Sequence, residues 1–237
     1  MRLDKLLANM GYGSRKDVKA LVKNKRVTVN NTVIKDSGQK VDPDKDIVHV
    51  DERVVIYKPY IYLMMNKPPG VISATEDRHD KTVIDLLSSE HQHYTPFPVG
   101  RLDKDTEGLL LLTNDGQLAH QLLSPKKDVE KTYYARVWGT VTDKDVEAFA
   151  KGIVLDDGYH SKPAKLRILS QGEESEIEVK ITEGKFHQVK RMFEAVDKKV
   201  IYLKRLCMGD LQLDNTLKLG DYRELNSEEL SYCQSIK

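Results

Sequence analysis

The sequence predicts an α+β protein, in which a small N-terminal α/β unit precedes a domain built on a mixed, mainly antiparallel sheet flanked by helices. In the second part of the chain, strand-like segments outnumber helical ones and do not alternate regularly with them, which argues against a doubly wound fold. Pro43 and Pro59 bracket the edge of the first unit, and residues 56–60 form the predicted linker. We therefore expect domains at residues 1–58 and 59–237.

Two short helices and three short strands are predicted in the first domain. Leucines at helical spacing within residues 3–8 indicate the first helix. Ser14 followed by Asp17 is typical of a capping box, which begins a second helix that runs to about Asn24. Alternating valines around an Asn30–Asn31 turn predict a hairpin. The expected strands are 26–30, 32–35 and 47–56.

In the second domain, the segment 66-NKPPG-70 predicts a stiff turn out of the first strand. Four consecutive leucines, residues 109–112, predict a strand that is buried on both faces. The expected strands are 61–67, 109–114, 132–139, 164–170, 175–182 and 200–209. The expected helices are 82–89, 116–124, 142–152 and 187–196.

Charge is distributed unevenly along the 237 residues, although the net charge is only +1. Residues 1–41 contain ten Lys and Arg against three Asp, a charge of +7, which leaves −6 for the remainder. A basic segment attached to a mildly acidic body is typical of an arm that binds a polyanion. The alternative is a solvated charged surface without a partner.

Several classes of protein are disfavoured by composition. No apolar run approaches the roughly 20 residues that span a bilayer, and charges interrupt the N-terminal apolar patch, unlike in a signal peptide. Cys207 and Cys233 are too few for a disulfide framework or a zinc site. We expect a cytoplasmic protein, and a monomer because no apolar interface pattern stands out.

The stretch 99-VGRLDKDTEGLLLLTNDG-116 sets charged residues directly before the leucine strand. A rigid buried strand positions the loop beside it, and such junctions often carry chemistry. Asp103 in this loop has four possible roles: general base, nucleophile, metal ligand or local cap. Asp105 and Glu107 could join it around a hard cation, although no familiar metal-binding spacing is present.

A second charged stretch, 183-EGKFHQVKRMF-193, carries three basic side chains at the start of a predicted helix. The N-terminus of a helix already has positive potential, which repels His187, Lys190 and Arg191 when they are charged. A nearby carboxylate or phosphate would offset this repulsion. The alternative is a solvated face on which Lys190 pairs with Glu194.

Residues 1–50 resemble the S4 domain, the RNA-binding module named for ribosomal protein S4. The similarity rests on 3-LDKLLA-8, 14-SRKDVKALVKNKRVTVNN-31 and 38-GQKV-41, in that order. It implies binding to structured RNA, with phosphate contacts that give affinity and salt dependence. The candidate RNA contacts in this domain are Arg2, Arg15, Lys16, Lys19, Lys23 and Arg26.

Residues 60–225 resemble the RsuA-type pseudouridine synthases. Four segments occur in the order and spacing of that family. They are the two charged stretches described above, 66-NKPPG-70 and 131-KTYYARV-137. The resemblance implies isomerisation of a uridine in RNA to pseudouridine, without a cofactor or metal. The HQVKRMF form and 124-SPKKDVEKTY-133 are most similar to the enzyme that acts on 16S rRNA, which implies 16S rRNA or a small-subunit assembly intermediate as partner and a target of the uridine-516 class.

The resemblance also implies roles for individual residues. Asp103 matches the family's essential aspartate, a nucleophile or base, and Lys190 matches its basic partner, which would hold the carboxylate in its charged form and aim it. Tyr133 matches the tyrosine whose ring lies against the target base, whereas Tyr134 should point to the opposite face of the strand. Arg101 resembles the arginine that fills the gap left by the extracted uridine. His187 and Arg191 are further candidate RNA contacts.

Three alternatives remain open from the sequence. A synthase that acts on 23S rRNA would share the same site residues and differ in RNA docking. A non-catalytic rRNA-binding assembly protein would keep the fold, but it gives no reason for Asp103, Tyr133 and Lys190 to be present together. A hydrolase that pairs Asp103 with Asp105 or Glu107 gives no reason for the basic segment.

Overall fold

A computed structural model describes residues 1–236 of the chain. The chain forms two compact units. The first comprises Met1–Ile61 together with Leu87–Pro96, and the second comprises the rest of the chain. The predicted division after residue 58 did not assign the segment Leu87–Pro96 to the first unit. Among the described residues, no helix has both the length and the apolar character needed to cross a membrane.

The first unit combines short helices with a small antiparallel sheet. Its helices are α1 (Leu3–Asn9), α2 (Arg15–Lys23) and α3 (Ser89–Gln92). Its strands are β1 (Val27–Val29), β2 (Thr32–Val33), β3 (Val48–Val50) and β4 (Arg53–Val54), in the order β2-β1-β3-β4. The apolar faces of α1 and α2 and the inward valines of β1 and β3 form one buried core, as expected for amphipathic elements.

Local sequence accounts for the ends of these elements. The Ser14 side chain accepts a hydrogen bond from the Asp17 backbone N–H, and the Asp17 carboxylate accepts one from the Ser14 backbone N–H. The predicted capping box is therefore confirmed. The predicted Asn30–Asn31 turn is also confirmed, with positive φ at both residues. The single strand predicted over 47–56 is wrong. Asp51 and Glu52 have φ of 48° and 66° and fold it into the β3–β4 hairpin.

The second unit is built on a large mixed sheet with helices. Its strands are β5 (Tyr62–Lys67), β6 (Phe97–Val99), β7 (Glu107–Thr113), β8 (Lys131–Trp138), β9 (Lys165–Ser170), β10 (Glu174–Ile181), β11 (Lys199–Met208), β12 (Leu211–Gln212) and β13 (Tyr222–Glu224). Its helices are α4 (Gly116–Leu123), α5 (Asp143–Lys151), α6 (Gln188–Glu194) and α7 (Ser227–Ser235).

The main strand order is β13-β5-β7-β11-β8-β10-β9, with β6 paired to β7 and β12 paired to β11. All of these pairs are antiparallel except β7 with β11, so the predicted α+β class is confirmed. The leucines of residues 109–112 are at most 2% exposed. At the parallel junction, a Cβ on Gly108 would lie 2.2 Å from the carbonyl oxygen of Arg205, so only glycine allows this close approach.

Two sequence expectations for the second unit fail. The predicted helix 82–89 is wrong. Thr82 and Asp85 form reciprocal contacts of the kind that begin a helix, but only a single 3₁₀ turn, Ile84–Leu86, follows them. The short strands β6, β12 and β13 and the helix α7 were not predicted. The remaining predicted strands and helices of this unit are present, within a few residues of their expected bounds.

Candidate active site

The charged loop between β6 and β7, residues 100–106, forms one side of the candidate site. We call it the β6–β7 loop. Strand β7 lies inside the sheet, paired with β5 on one side and with β6 and β11 on the other. The loop therefore leads into a strand that is paired on both sides, and it carries Arg101 and Asp103 at the edge of a pocket.

A fully buried lysine fastens the backbone of this loop. The Lys67 ammonium, at the end of β5, donates to the carbonyl oxygens of Asp103 at 3.0 Å, Thr106 at 2.9 Å and, outside the loop, Pro68 at 3.0 Å. No carboxylate is among its hydrogen-bond acceptors in the part of the chain that the structure describes. Burial lowers the pKa of Lys67 to about 8. This buried charge is stabilised by backbone dipoles that belong mainly to the loop it holds.

The rest of the segment 66-NKPPGVIS-73 supports the same loop. The Ser73 hydroxyl donates to the carbonyl of Leu102 and accepts from its N–H, both at 3.0 Å. The Gly70 N–H donates to the carbonyl of Lys104 at 2.7 Å. The sequence predicts only a turn in this segment. Its support of the loop was not predictable, because no residue pattern in it indicates which carbonyls it will bind.

The Asp103 carboxylate lies against two basic side chains from the far end of the sequence. Lys190 Nζ is 3.1 Å from Asp103 Oδ2, and His187 Nε2 is 3.6 Å from Asp103 Oδ1. Lys190 also contacts Asp105 Oδ1 at 2.6 Å. Asp103 and Lys190 are 25% and 18% exposed as side chains, whereas Asp105 is 73% exposed. Asp103 is thus the sheltered partner of the shared lysine.

The electrostatics of this cluster favour its charged state. Burial alone would lower the pKa of Lys190, but its hydrogen bonds to Asp105 and Asp103 outweigh burial and raise that pKa. Burial would likewise raise the pKa of Asp105, but the hydrogen bond and charge of Lys190 lower it. Lys190 and Asp105 are therefore both held in their charged forms, and the basic residues at the start of α6 lie against carboxylates.

The segment before α6 holds His187 in an unusual conformation. His187 is the N-cap of α6 and has φ 50° and ψ 30°, in the left-handed region, which a non-glycine residue adopts at a cost. The nearby Glu183 carboxylate accepts from the Tyr159 hydroxyl, the Lys162 N–H at 2.9 Å and the Gln188 amide at 2.9 Å. This partly buried carboxylate anchors the start of the segment.

The two neighbouring tyrosines of β8 lie in different environments. Tyr133 is buried and lines the pocket together with Arg101, Asp103 and His187. Tyr134 lies against Tyr202, with ring centroids 5.9 Å apart. Alternation of side chains along the strand separates the two rings. The pocket therefore brings together an arginine, an aspartate, an aromatic ring and a histidine, with Lys190 on the same carboxylate.

Other candidates in this unit lie outside the pocket lining. Arg191 contacts Asp157 at 2.7 Å and also pairs with Asp156. The Glu107 carboxylate accepts from the Tyr202 hydroxyl at 2.7 Å, so it does not form a pair with Asp103. Among the described residues, no group of three or more His, Cys, Asp or Glu side chains is arranged to hold a metal ion.

The cations predicted to contact RNA in the first unit lie in two settings. Arg2 pairs with Asp4 at 2.7 Å, and Arg26 pairs with Asp51 through two hydrogen bonds. The remaining four lie on α2, where all are exposed, while Val18 and Val22 bury the opposite face of the helix. These four are Arg15, Lys16, Lys19 and Lys23.

Comparison with known sequence families gives two matches. The pattern of the RNA pseudouridylate synthase family matches residues 61–195. The pattern of the S4 domain matches residues 1–47. The first match covers more than half of the chain and includes the β6–β7 loop, Tyr133 and Lys190.

Individual relatives are similar over nearly their whole length. The RNA pseudouridine synthase YtzG of Bacillus subtilis (strain 168), named as uncharacterized, is 54% identical, with 97% of each chain covered. The ribosomal small subunit pseudouridine synthase A of Vibrio cholerae is 40% identical, with 98% of each chain covered.

A solved structure supports the same relationship. The crystal structure of a pseudouridylate synthase matches this one with a TM-score of 0.69 at 33% identity, covering both chains in full. The family match, the relatives and the fold agree. The chain therefore belongs to the RNA pseudouridylate synthase family, carries an S4 domain, and is a pseudouridine synthase that acts on RNA.

Proposed function

We propose that the protein converts a uridine of small-subunit (16S) ribosomal RNA into pseudouridine and that Asp103 begins the reaction. The observation that carries the proposal is the 3.1 Å ion pair between Asp103 and Lys190 at a pocket lined by Tyr133. The choice of the small subunit rests on relatives of nearly equal length whose names state that substrate. A target of the uridine-516 class, a monomeric enzyme and action on an assembly intermediate remain predictions.

The reaction makes three demands on the protein. The bond between ribose C1′ and uracil N1 breaks, the base turns, and C1′ is joined to C5. The proton on C5 is lost and N1 gains one, so the isomerisation balances without an oxidant or a reductant. The protein must supply a group that acts on the nucleoside, a surface that retains the free base, and a means of extracting the uridine from the RNA.

Asp103 is suited to the first demand. Its carbonyl oxygen is bound by the buried Lys67 and its carboxylate by Lys190, so both its backbone and its side chain are oriented before substrate arrives. The same position serves attack on C1′ and removal of a proton from the nucleoside. Its neighbour Asp105 also contacts Lys190 but is largely exposed, which makes it a poorer candidate for the group that acts on the nucleoside.

Tyr133 and Arg101 are suited to the other two demands. The buried ring of Tyr133 offers a flat apolar surface on which a detached uracil can stack and turn without leaving the pocket. Arg101 is exposed at the pocket, where its planar guanidinium can replace the extracted base in the RNA stack. Extraction costs a few kcal/mol, which such a substitute offsets.

The S4 domain supplies affinity in this proposal. The four exposed cations of α2 can contact phosphates along structured RNA, which gives binding that weakens with salt and carries little sequence information. The choice of one uridine then depends on the pocket and on the shape of the RNA around it.

The test maps pseudouridines in ribosomal RNA by carbodiimide modification and primer extension. Cells that lack the protein are compared with the same cells carrying the wild type, Asp103→Asn or Asp105→Asn. We expect one stop in 16S rRNA to vanish and to return with the wild type and Asp105→Asn but not with Asp103→Asn. A lost stop in 23S rRNA would overturn the choice of subunit, and rescue by Asp103→Asn would overturn the role of Asp103.

A further inference from the structure

Phe186 is a large aromatic side chain that the proposed reaction does not use. It is 74% exposed, although aromatic rings gain free energy by burial. Its two neighbours in sequence, Lys185 and His187, both line the pocket that contains Asp103. Phe186 therefore lies at the pocket rim, with most of its surface in contact with solvent.

The ring of Phe186 is stacked on the ring of His187. Their centroids are 3.7 Å apart and their planes differ by 18°. At its edge, the same imidazole places Nε2 3.6 Å from the Asp103 carboxylate. One face of the Phe186 ring is covered by His187, so its exposed area includes the opposite face. His187 therefore contacts both the Phe186 ring and the Asp103 carboxylate.

The segment that carries the two rings is held in place before RNA arrives. Its start is anchored by the Glu183 carboxylate, and the Lys185 N–H donates to the Gln188 side chain at 2.9 Å. His187 is retained in the left-handed conformation described above. A strained conformation persists only where its surroundings impose it, and it is most often found at functional sites.

We propose that Phe186 stacks on the nucleobase of a nucleotide adjoining the target uridine; this inference rests on the proposed function. When the uridine is turned towards Asp103, its neighbour in the RNA loses a stacking partner. An exposed aromatic ring stacked on the histidine that contacts Asp103 provides a replacement, and base–aromatic stacking tolerates any base. Lys185, at the same rim, adds a positive charge close to the RNA backbone.

A purely structural role for Phe186 makes a different prediction. If the ring served only to hold His187 against Asp103, its loss would lower the maximal rate and leave RNA affinity unchanged. A stacking platform binds substrate and transition state alike, so its loss raises KM and leaves kcat unchanged.

The experiment measures single-turnover pseudouridine formation on an unmodified small-subunit rRNA transcript at a series of enzyme concentrations. The full-length variants are Phe186→Leu, which keeps an apolar side chain without a ring, and Phe186→Tyr, which keeps the ring. Trp138→Leu removes another exposed aromatic side chain, which lies outside the pocket lining, and serves as the control. A second readout is the fluorescence of 2-aminopurine placed beside the target uridine, which stacking quenches.

We expect Phe186→Leu to raise the half-saturating concentration by about tenfold or more with a maximal rate within about twofold of the wild type. Phe186→Tyr and Trp138→Leu should behave as the wild type, and only Phe186→Leu should weaken the quenching. An unchanged half-saturating concentration for Phe186→Leu, or a loss confined to the maximal rate, would overturn the stacking role alone. A wild type that modifies no uridine in this RNA, whether free or bound by small-subunit ribosomal proteins, would overturn the proposed function and the stacking role together.

Discussion

The β6–β7 loop and helix α2 both concentrate charge, but they hold it in opposite ways. In the loop, the Asp103 carboxylate is paired with Lys190, and backbone carbonyls of the loop are bound by a buried lysine and by neighbouring N–H and hydroxyl groups. On α2, four cations point into solvent from a helix whose opposite face is buried. The loop fixes the position of a charged group, whereas α2 only exposes its charged groups to solvent.

This difference corresponds to two physical requirements. A group that reacts must be held close to its productive geometry, because a displacement of about 1 Å can cost roughly 10²-fold in rate. Contacts to phosphates need no such accuracy, since long-range attraction and release of counterions supply most of their free energy. Changes in the loop should therefore affect turnover, and changes in α2 should affect affinity.

The largest expected effect comes from Asp103→Asn. This change removes a charge without changing shape, so we expect the single-turnover rate to fall by at least about 10³-fold while RNA affinity stays within about threefold of the wild type. Asp105→Asn is a matched control in the same loop on the same lysine, and it should lose less than about tenfold because Asp105 is exposed. Equal losses in the two variants would show that the loop does not distinguish the two carboxylates.

A smaller loss is expected from Lys190→Met, which removes the cation that aims Asp103. We expect the rate to fall by roughly 10²-fold. The loss should be smaller for Lys190→Arg, because arginine keeps the positive charge although its guanidinium differs in shape from an ammonium. The measurement is the single-turnover rate at saturating RNA. Full activity of Lys190→Met would mean that the ion pair has no role in orienting the carboxylate.

The buried Lys67 should leave a signature in the pH dependence of stability. Its pKa in the folded protein is about 8, below the ordinary value of 10.5, so between these values the unfolded chain binds more protons and stability rises with pH. The wild type should therefore gain roughly 3 kcal/mol of unfolding free energy relative to Lys67→Met between pH 7.5 and pH 10.5.

Denaturant unfolding at several pH values measures this difference. Lys151→Met, at an exposed lysine on α5, is the matched control, and its stability difference from the wild type should not vary with pH. A constant difference between the wild type and Lys67→Met over the same range would mean that Lys67 titrates normally.

The smallest expected change in turnover comes from α2. Replacing Arg15, Lys16, Lys19 and Lys23 by Gln should reduce the slope of log K against log salt by about 3, from four phosphate contacts at 0.7–0.9 each. The rate at saturating RNA should remain within about twofold of the wild type. Neutralising the exposed Lys144 and Lys151 of α5 should leave the slope unchanged. An unchanged slope in the α2 variant would mean that this helix does not contact phosphates.

Much of this organisation was predictable from local sequence. The capping box at Ser14, the Asn30–Asn31 turn and the leucine strand each depend on residues close together in the chain, and all are present in the structure. The hairpin at Asp51–Glu52 was missed because Glu52, unlike Asp51, is not a residue that favours turns, although both adopt positive φ. The fold class followed from the number and order of these elements.

The support beneath Asp103 was not predictable. Lysine is almost never fully buried, so no pattern identified Lys67 as a buried residue, and its partners are backbone carbonyls that carry no sequence signal. The contact of Asp103 with Lys190 joins residues 87 positions apart. The sequence indicated that the cations at the start of α6 needed an anion, but only the packing of α6 beside the β6–β7 loop identified which one.

The most direct test of the account measures rate and affinity together for two proteins, Asp103→Asn and the four-fold Gln variant of α2, on one small-subunit rRNA transcript. We predict that Asp103→Asn binds as the wild type does and fails to turn over, whereas the α2 variant binds more weakly and turns over normally once saturated. If both variants lose affinity, or both lose the rate at saturation, then chemistry and affinity are not divided between the two regions, and the account is contradicted.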